Sequence, residues 1–147
     1  EDFTARLWNS ASAQQLHSWA HNDEVQLVKL SPDGATAFTM AKYDKAGLWD
    51  TQTGKSKGEI PLSSTAIRRG LTFTAVAFSA DSRYLLTGTA NRIVQLWDTR
   101  PIKAIKTWQM PKRDLVAPSS ASVLALGFGT RGNYYAITSD GFTHRLN

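Results

Sequence analysis

The chain ends the same short phrase four times. Arg-Leu-Trp-Asn closes at Asn9, Gly-Leu-Trp-Asp at Asp50, Gln-Leu-Trp-Asp at Asp98 and His-Arg-Leu-Asn at Asn147. The marker positions are Trp8, Trp49, Trp97 and Leu146, spaced 41, 48 and 49 residues apart. A period of that length is too short for an independent domain and too long for a coiled coil. Each unit must bury its apolar face against the next, and this restricts the chain to repeat architectures.

Two further features keep the same register. Upstream of each marker lies an apolar, β-prone run broken by turn residues: Val25, Val28 and Leu30 before Ser-Pro-Asp-Gly; Phe73, Val76 and Phe78 before Ser-Ala-Asp-Ser; Val123, Leu126 and Phe128 before Gly-Thr-Arg-Gly. Such runs read as strands closed by tight turns. Eleven residues after the markers stand Trp19, Ile60 and Trp108.

The Leu-Trp-Asp endings and the Ser-Pro-Asp-Gly turn resemble those of the WD40 family, and the resemblance covers essentially the whole chain. It implies an all-β, WD40-type β-propeller, here a partial arc of about three four-stranded antiparallel blades set around a central channel. Strand a then falls near residues 24–30, 72–78 and 122–128, and strand b near 35–41, 83–89 and 133–138. Strand c falls near 4–8, 46–49, 92–97 and 142–146, and strand d near 14–19, 55–60 and 103–109. The expected division is strands c and d of a truncated blade in 1–19, a blade in 20–60, a blade with a long d–a loop in 61–109, and a last blade without strand d in 110–147. Such a set cannot close on itself. The expectation is the C-terminal portion of a larger propeller, completed by further blades of the same polypeptide or by a second chain. Among WD40 proteins the blades resemble bacterial members, which leaves a cytoplasmic and an exported compartment both open.

The family also has a buried polar network linking a His, a Ser or Thr, an Asp and the Trp of a blade. Carried onto this chain it names His21, Thr39 and Trp49, with Asp44 one residue past the expected position, which Tyr43 holds. Its other positions fall on Arg69 with Asn91 and Trp97, and on Ser119 with Asp140. No blade keeps the whole set, and its role is structural.

No catalytic residue is assigned. Seven of the nine Asp residues are explained by the repeat: Asp2, Asp44 and Asp140 at or beside b–c turns, Asp33 and Asp81 in a–b turns, and Asp50 and Asp98 after a Trp. The remainder form no recognisable acid–base arrangement with a His. His17 and His144 lie in strands without metal-ligand spacing, and no Gly-x-Ser-x-Gly or phosphate-binding glycine loop occurs. The chain has no Cys, which excludes disulfides and thiolate sites. No metal or cofactor is expected. No run approaches the roughly 18 apolar residues of a membrane helix.

Function is expected at the longer loops. The extra length falls in two d–a connections, 61–70 with Arg68 and Arg69, and 111–120 with Lys112 and Arg113. In the family these emerge on the top face, where Asn22, Asp23, Lys42, Tyr43 and Arg92 also map. Long loops on a rigid frame are where binding usually resides. With 17 Lys and Arg against 12 Asp and Glu, the implied partner is a protein segment, acidic or phosphorylated. The reading is a non-catalytic protein–protein interaction scaffold. The alternative is an enzyme or small-ligand-binding propeller whose channel site is completed by blades absent from this chain. Nucleic acid is disfavoured because the aromatics, Trp8 included, are expected to be used in strands and core, leaving few for a stacking platform.

Overall fold

The computed structural model describes residues 2–62, 72–111 and 121–147. Among them are thirteen strands and no α-helix, arranged in two compact units, residues 1–70 and 71–147.

The first unit holds β1 (Thr4–Asn9) paired with β2 (Gln14–Ala20), and a four-stranded sheet of β3 (Val25–Leu30), β4 (Thr36–Ala41), β5 (Ala46–Asp50) and β6 (Ser56–Ile60) in that order. The second holds a four-stranded sheet of β7 (Phe73–Phe78), β8 (Tyr84–Thr89), β9 (Ile93–Thr99) and β10 (Ile102–Gln109). It also holds a three-stranded sheet of β11 (Val123–Phe128), β12 (Tyr134–Thr138) and β13 (Thr143–Leu146). Every pairing is antiparallel between sequence neighbours. The strands fall within about two residues of the sequence expectation, and the all-β meander with four-stranded sheets is the blade arrangement it called for.

The repeated turn residues have local work to do. Ser31 Oγ donates to Asp33 Oδ1 at 2.6 Å and accepts from Thr36 N at 2.9 Å; Ser79 repeats this with Asp81 at 2.5 Å and Tyr84 N at 2.8 Å. The residue after each marker Trp nucleates the next turn. Asn9 Oδ1 accepts from the backbone of Ala11 and Ser12, Asp50 Oδ1 from Gln52 and Thr53, and Asp98 Oδ1 from Arg100. These are side-chain mimics of a backbone turn, which accounts for the Trp-Asp and Trp-Asn endings. The turn before each marker strand needs a left-handed residue: Phe3, Tyr43, Arg92 and Gly141 have φ of 52°, 56°, 65° and 85°. Three of the four carry a side chain there, a conformation uncommon outside glycine.

Cores form where sheets meet inside a unit. In the first, Ala5, Trp19 and Ala37 are buried together with Leu7, Val25 and Trp49 against them. In the second, Ala75, Leu86, Val94, Leu96, Met110, Val123, Ala136 and Leu146 form one cluster. Gly88 is held to glycine by this packing, since a Cβ there would stand 2.5 Å from Val123 Cγ1. Thr74 Oγ1 crosses the same contact to donate to Val123 O at 2.5 Å.

Candidate functional site

Antiparallel meanders put the connections β2–β3 and β4–β5 at one end of their sheets, and the first unit joins them there. Lys42 N donates to Glu24 O at 2.8 Å, His21 N to Phe3 O at 2.8 Å, and Asn22 Nδ2 to Asp44 Oδ2 at 3.1 Å. Asp23 caps the connection through Glu24 N at 2.7 Å. Asn22, Asp23, Lys42, Tyr43 and Asp44 thus share one patch. At its tip the strained φ of Tyr43 presents the ring to solvent, 53% exposed, with Lys42 Nζ 5.2 Å from its centroid. Beside it Lys45 pairs with Glu59 at 2.8 Å, a contact that raises the Lys45 pKa through the hydrogen bond to Glu59.

The second unit repeats the arrangement with other residues. Arg92 O accepts from Met110 N at 2.9 Å, and Gln109 Nε2 donates to Asn91 O at 3.1 Å. Arg92 Nη1 reaches Pro111 O at 3.4 Å, while Arg92 Nε is buried and finds no acceptor among the described residues. Arg92 is therefore held at the root of the 111–120 connection. Arg68, Arg69, Lys112, Arg113 and Ser119 lie outside the described residues.

The polar network is present in pieces. Trp49 Nε1 donates to Thr39 Oγ1 at 2.7 Å, and Trp97 Nε1 to Thr87 Oγ1 at 2.9 Å. His21 does not join: its ring meets Trp49 edge-on at 6.3 Å, its Nε2 is buried without a partner among the described residues, and Asp44 accepts from Asn22 instead. Burial lowers the His21 pKa, with Asp44 opposing. No hydrogen bond between His21 and Thr39 occurs among the described residues. Asn91 accepts from Thr89 Oγ1 at 2.5 Å, and Asp140 from Thr138 Oγ1 at 2.5 Å.

Sequence reading missed Thr87, Thr89, Thr138 and His144, whose Nε2 lies 3.0 Å from Thr138 Oγ1. The available signal was a Thr two residues before each Asn91- or Asp140-type position. One expectation is corrected: Trp8 is not core but 52% exposed. It lies on β1, whose one sheet partner among the described residues is β2. No cluster of three or more metal-ligating side chains occurs among the described residues.

Comparison with known proteins places these features. A family model described as WD domain, G-beta repeat, matches residues 69–98. The chain is 31% identical over 115 residues to a guanine nucleotide-binding protein subunit beta of Nicotiana tabacum, covering 71% of this chain and 28% of that protein. It is 27% identical over 136 residues to the small ribosomal subunit protein RACK1 of Drosophila melanogaster, covering 89% and 39%. It is 32% identical over 102 residues to a U3 snoRNP-associated protein-like YAOH of Oryza sativa, covering 60% and 19%. The chain thus spans roughly a fifth to two fifths of these relatives. Among solved structures, the computationally designed Ika4 protein matches with a TM-score of 0.73 at 20% identity, over 99% of this chain and 79% of that one, a likeness of fold.

Proposed function

We propose, from the premise that this chain belongs to the WD40-repeat family, that it is part of a non-catalytic interaction scaffold that captures a protein segment at the sheet ends carrying the β2–β3 and β4–β5 connections. The observation that carries this is Tyr43. A large aromatic is held in a left-handed turn, exposed, beside a lysine, on backbone pinned by Lys42 N to Glu24 O. Local strain of this kind persists where the surroundings over-determine it, and exposed Tyr is a residue type enriched among binding hot spots. Pinning the turn in advance reduces the ordering cost of binding.

The partner is a protein segment with acidic or phosphorylated character, engaged in the first unit by Lys42 beside Tyr43; the cations that the sequence puts on the two long connections, Arg68 and Arg69 in one and Lys112 and Arg113 in the other, add to the attraction. A net charge of +5 favours encounter with such a segment. The relatives that name a G-protein subunit and a ribosomal-subunit protein are components of assemblies by their own descriptions, which agrees with a scaffold.

The test is quantitative co-purification with the wild type, Tyr43→Ala, and a fourfold reversal of Arg68, Arg69, Lys112 and Arg113 to Glu. Both variants are expected to lose the same partners, the reversal more steeply at low salt. Undiminished recovery with the reversal would remove the basic loops from the reading, and undiminished recovery with both would remove the reading itself.

A further inference from the structure

We propose that His21 is an acid-operated latch on the Tyr43 turn: a proton taken from solvent at Nε2 draws Asp44 away from Asn22, and the patch that is held together at neutral pH loosens in acid. The proposal rests on the reading of that patch as the binding site and adds its regulation. Three observations in the first unit carry it.

The first is where the ring stands. His21 follows β2 directly, its ring meets Trp49 edge-on at 6.3 Å, and its Nε2 is buried without a partner among the described residues. Trp49 offers it no acceptor, because an indole only donates and this one donates to Thr39. A neutral imidazole leaves one unpaired nitrogen in this position. An imidazolium adds a full charge and a donor that must find an acceptor. Burial accordingly lowers the His21 pKa, with the charge of Asp44 acting the other way.

The second is what Asp44 holds. Its Oδ2 accepts from Asn22 Nδ2 at 3.1 Å and its Oδ1 from Lys45 N at 2.8 Å. The Asn22 contact is the one side-chain hydrogen bond among the described residues that ties the β2–β3 connection to the β4–β5 turn, and beside it runs the backbone bond from Lys42 N to Glu24 O. Tyr43 sits between these two ties with a φ of 56°. A left-handed residue with a side chain persists only where its surroundings hold it. The Asn22 tie therefore bears directly on how the Tyr43 ring is presented.

The third is the set of charges around the ring. On the elements packed against His21 these are Asp2 before β1, Asp23 and Glu24 on its own connection, and Lys42, Asp44 and Lys45 on the β4–β5 turn. Asp2 pairs with Arg6, Asp23 caps Glu24 N, Lys45 pairs with Glu59, and Lys42 lies over Tyr43. Glu24 is exposed. Asp44 is the carboxylate bridged to a neutral amide, and its charge is the one that acts on the ring. Exchanging an amide donor for an imidazolium makes the hydrogen bond charge-assisted, and so roughly twice as strong. Protonation thus reverses which partner Asp44 prefers.

The test is an NMR titration of the chain alone, from about pH 7.5 to about pH 5. It follows the His21 ring, the Asn22 side-chain amide and the exchange protection of the Lys45 amide, corrected for the intrinsic pH dependence of exchange. All three are expected to move together, at a midpoint below the ordinary histidine value near 6.5, with Lys45 protection falling at least about fivefold. The amides of β7–β10 should keep their protection. Asp44→Asn retains an acceptor for Asn22 but not the charge, so the Asn22 and Lys45 steps should vanish while the His21 midpoint drops further. His21→Gln should remove both steps as well, and Glu24→Gln should leave them in place. A wild-type chain without the steps, or steps that survive Asp44→Asn or His21→Gln or disappear in Glu24→Gln, would overturn the latch. No partner enters these measurements, so such results leave the reading of the patch untouched; that reading stands or falls on partner loss by Tyr43→Ala at neutral pH. Partner capture by the wild type that is as strong below the step as above it would overturn the regulatory role alone.

Discussion

The sheet of β3–β6 and the sheet of β11–β13 come from the same repeat, yet they solve one buried position in opposite ways. In the former, Trp49 donates to Thr39, which is 1% exposed. In the latter, Leu146 stands at the Trp position and Ala136 at the Thr position, both buried and both without a polar group. The β7–β10 sheet sides with the former through Trp97 and Thr87. Indole and hydroxyl are kept together or lost together. This is what desolvation demands, because one partner alone leaves a buried donor or acceptor unpaired. The last sheet keeps a separate polar contact, Thr138 to Asp140 with His144 beside it, which is the counterpart of Thr89 to Asn91 in the β7–β10 sheet.

That coupling can be broken in graded ways. Trp97→Ala, at a site 4% exposed, is expected to cost about 3–5 kcal/mol in urea unfolding, chiefly through the cavity. Thr87→Val keeps the volume but strands the indole N–H, for about 1–3 kcal/mol. The double variant Trp97→Leu with Thr87→Val should be less destabilised than the sum of its singles, with a coupling of about 0.5–3 kcal/mol; strict additivity would refute the pairing.

Smaller effects are expected outside the pair. The hydroxyl of Thr138 holds the Asp140 carboxyl below the usual carboxylate range. A depressed carboxylate contributes stability that is present above its unfolded pKa of about 4 and lost as pH falls. Thr138→Val should move the Asp140 midpoint upward in an NMR titration. His21 has the opposite chemistry: burial disfavours its charged form. Its contribution is complete above the ordinary pKa near 6.5 and declines as pH falls below it. His21→Gln should flatten that part of the stability profile, and an unaltered profile would show that His21 does not titrate differently on folding.

Strand positions and turns were legible in the sequence because both are local. Alternating apolar runs, Ser-x-Asp turns and the Asn or Asp after each Trp specify themselves over a few residues. The polar network was only half legible. Thr39 and Trp49 follow from cross-strand register, but the one-residue slip that puts Tyr43 where an acid was expected changes which group faces His21. Trp8 shows the same limit in another form, since its exposure depends on which strands flank β1 and not on its own sequence context. Of the candidate site, Asn22, Asp23, Lys42 and Tyr43 are brought together by hydrogen bonds between two turns. The four loop cations lie outside the described residues and rest on sequence alone.

The functional reading turns on which end of the sheets meets a partner. A photo-crosslinking residue at position 43, on the β4–β5 turn, and one at position 35, on the β3–β4 turn at the opposite end of the same sheet, compare the two ends under identical conditions. The account predicts a discrete protein adduct from position 43, weakened by the fourfold charge reversal, and none from position 35. Adducts from position 35 with none from position 43 would contradict it.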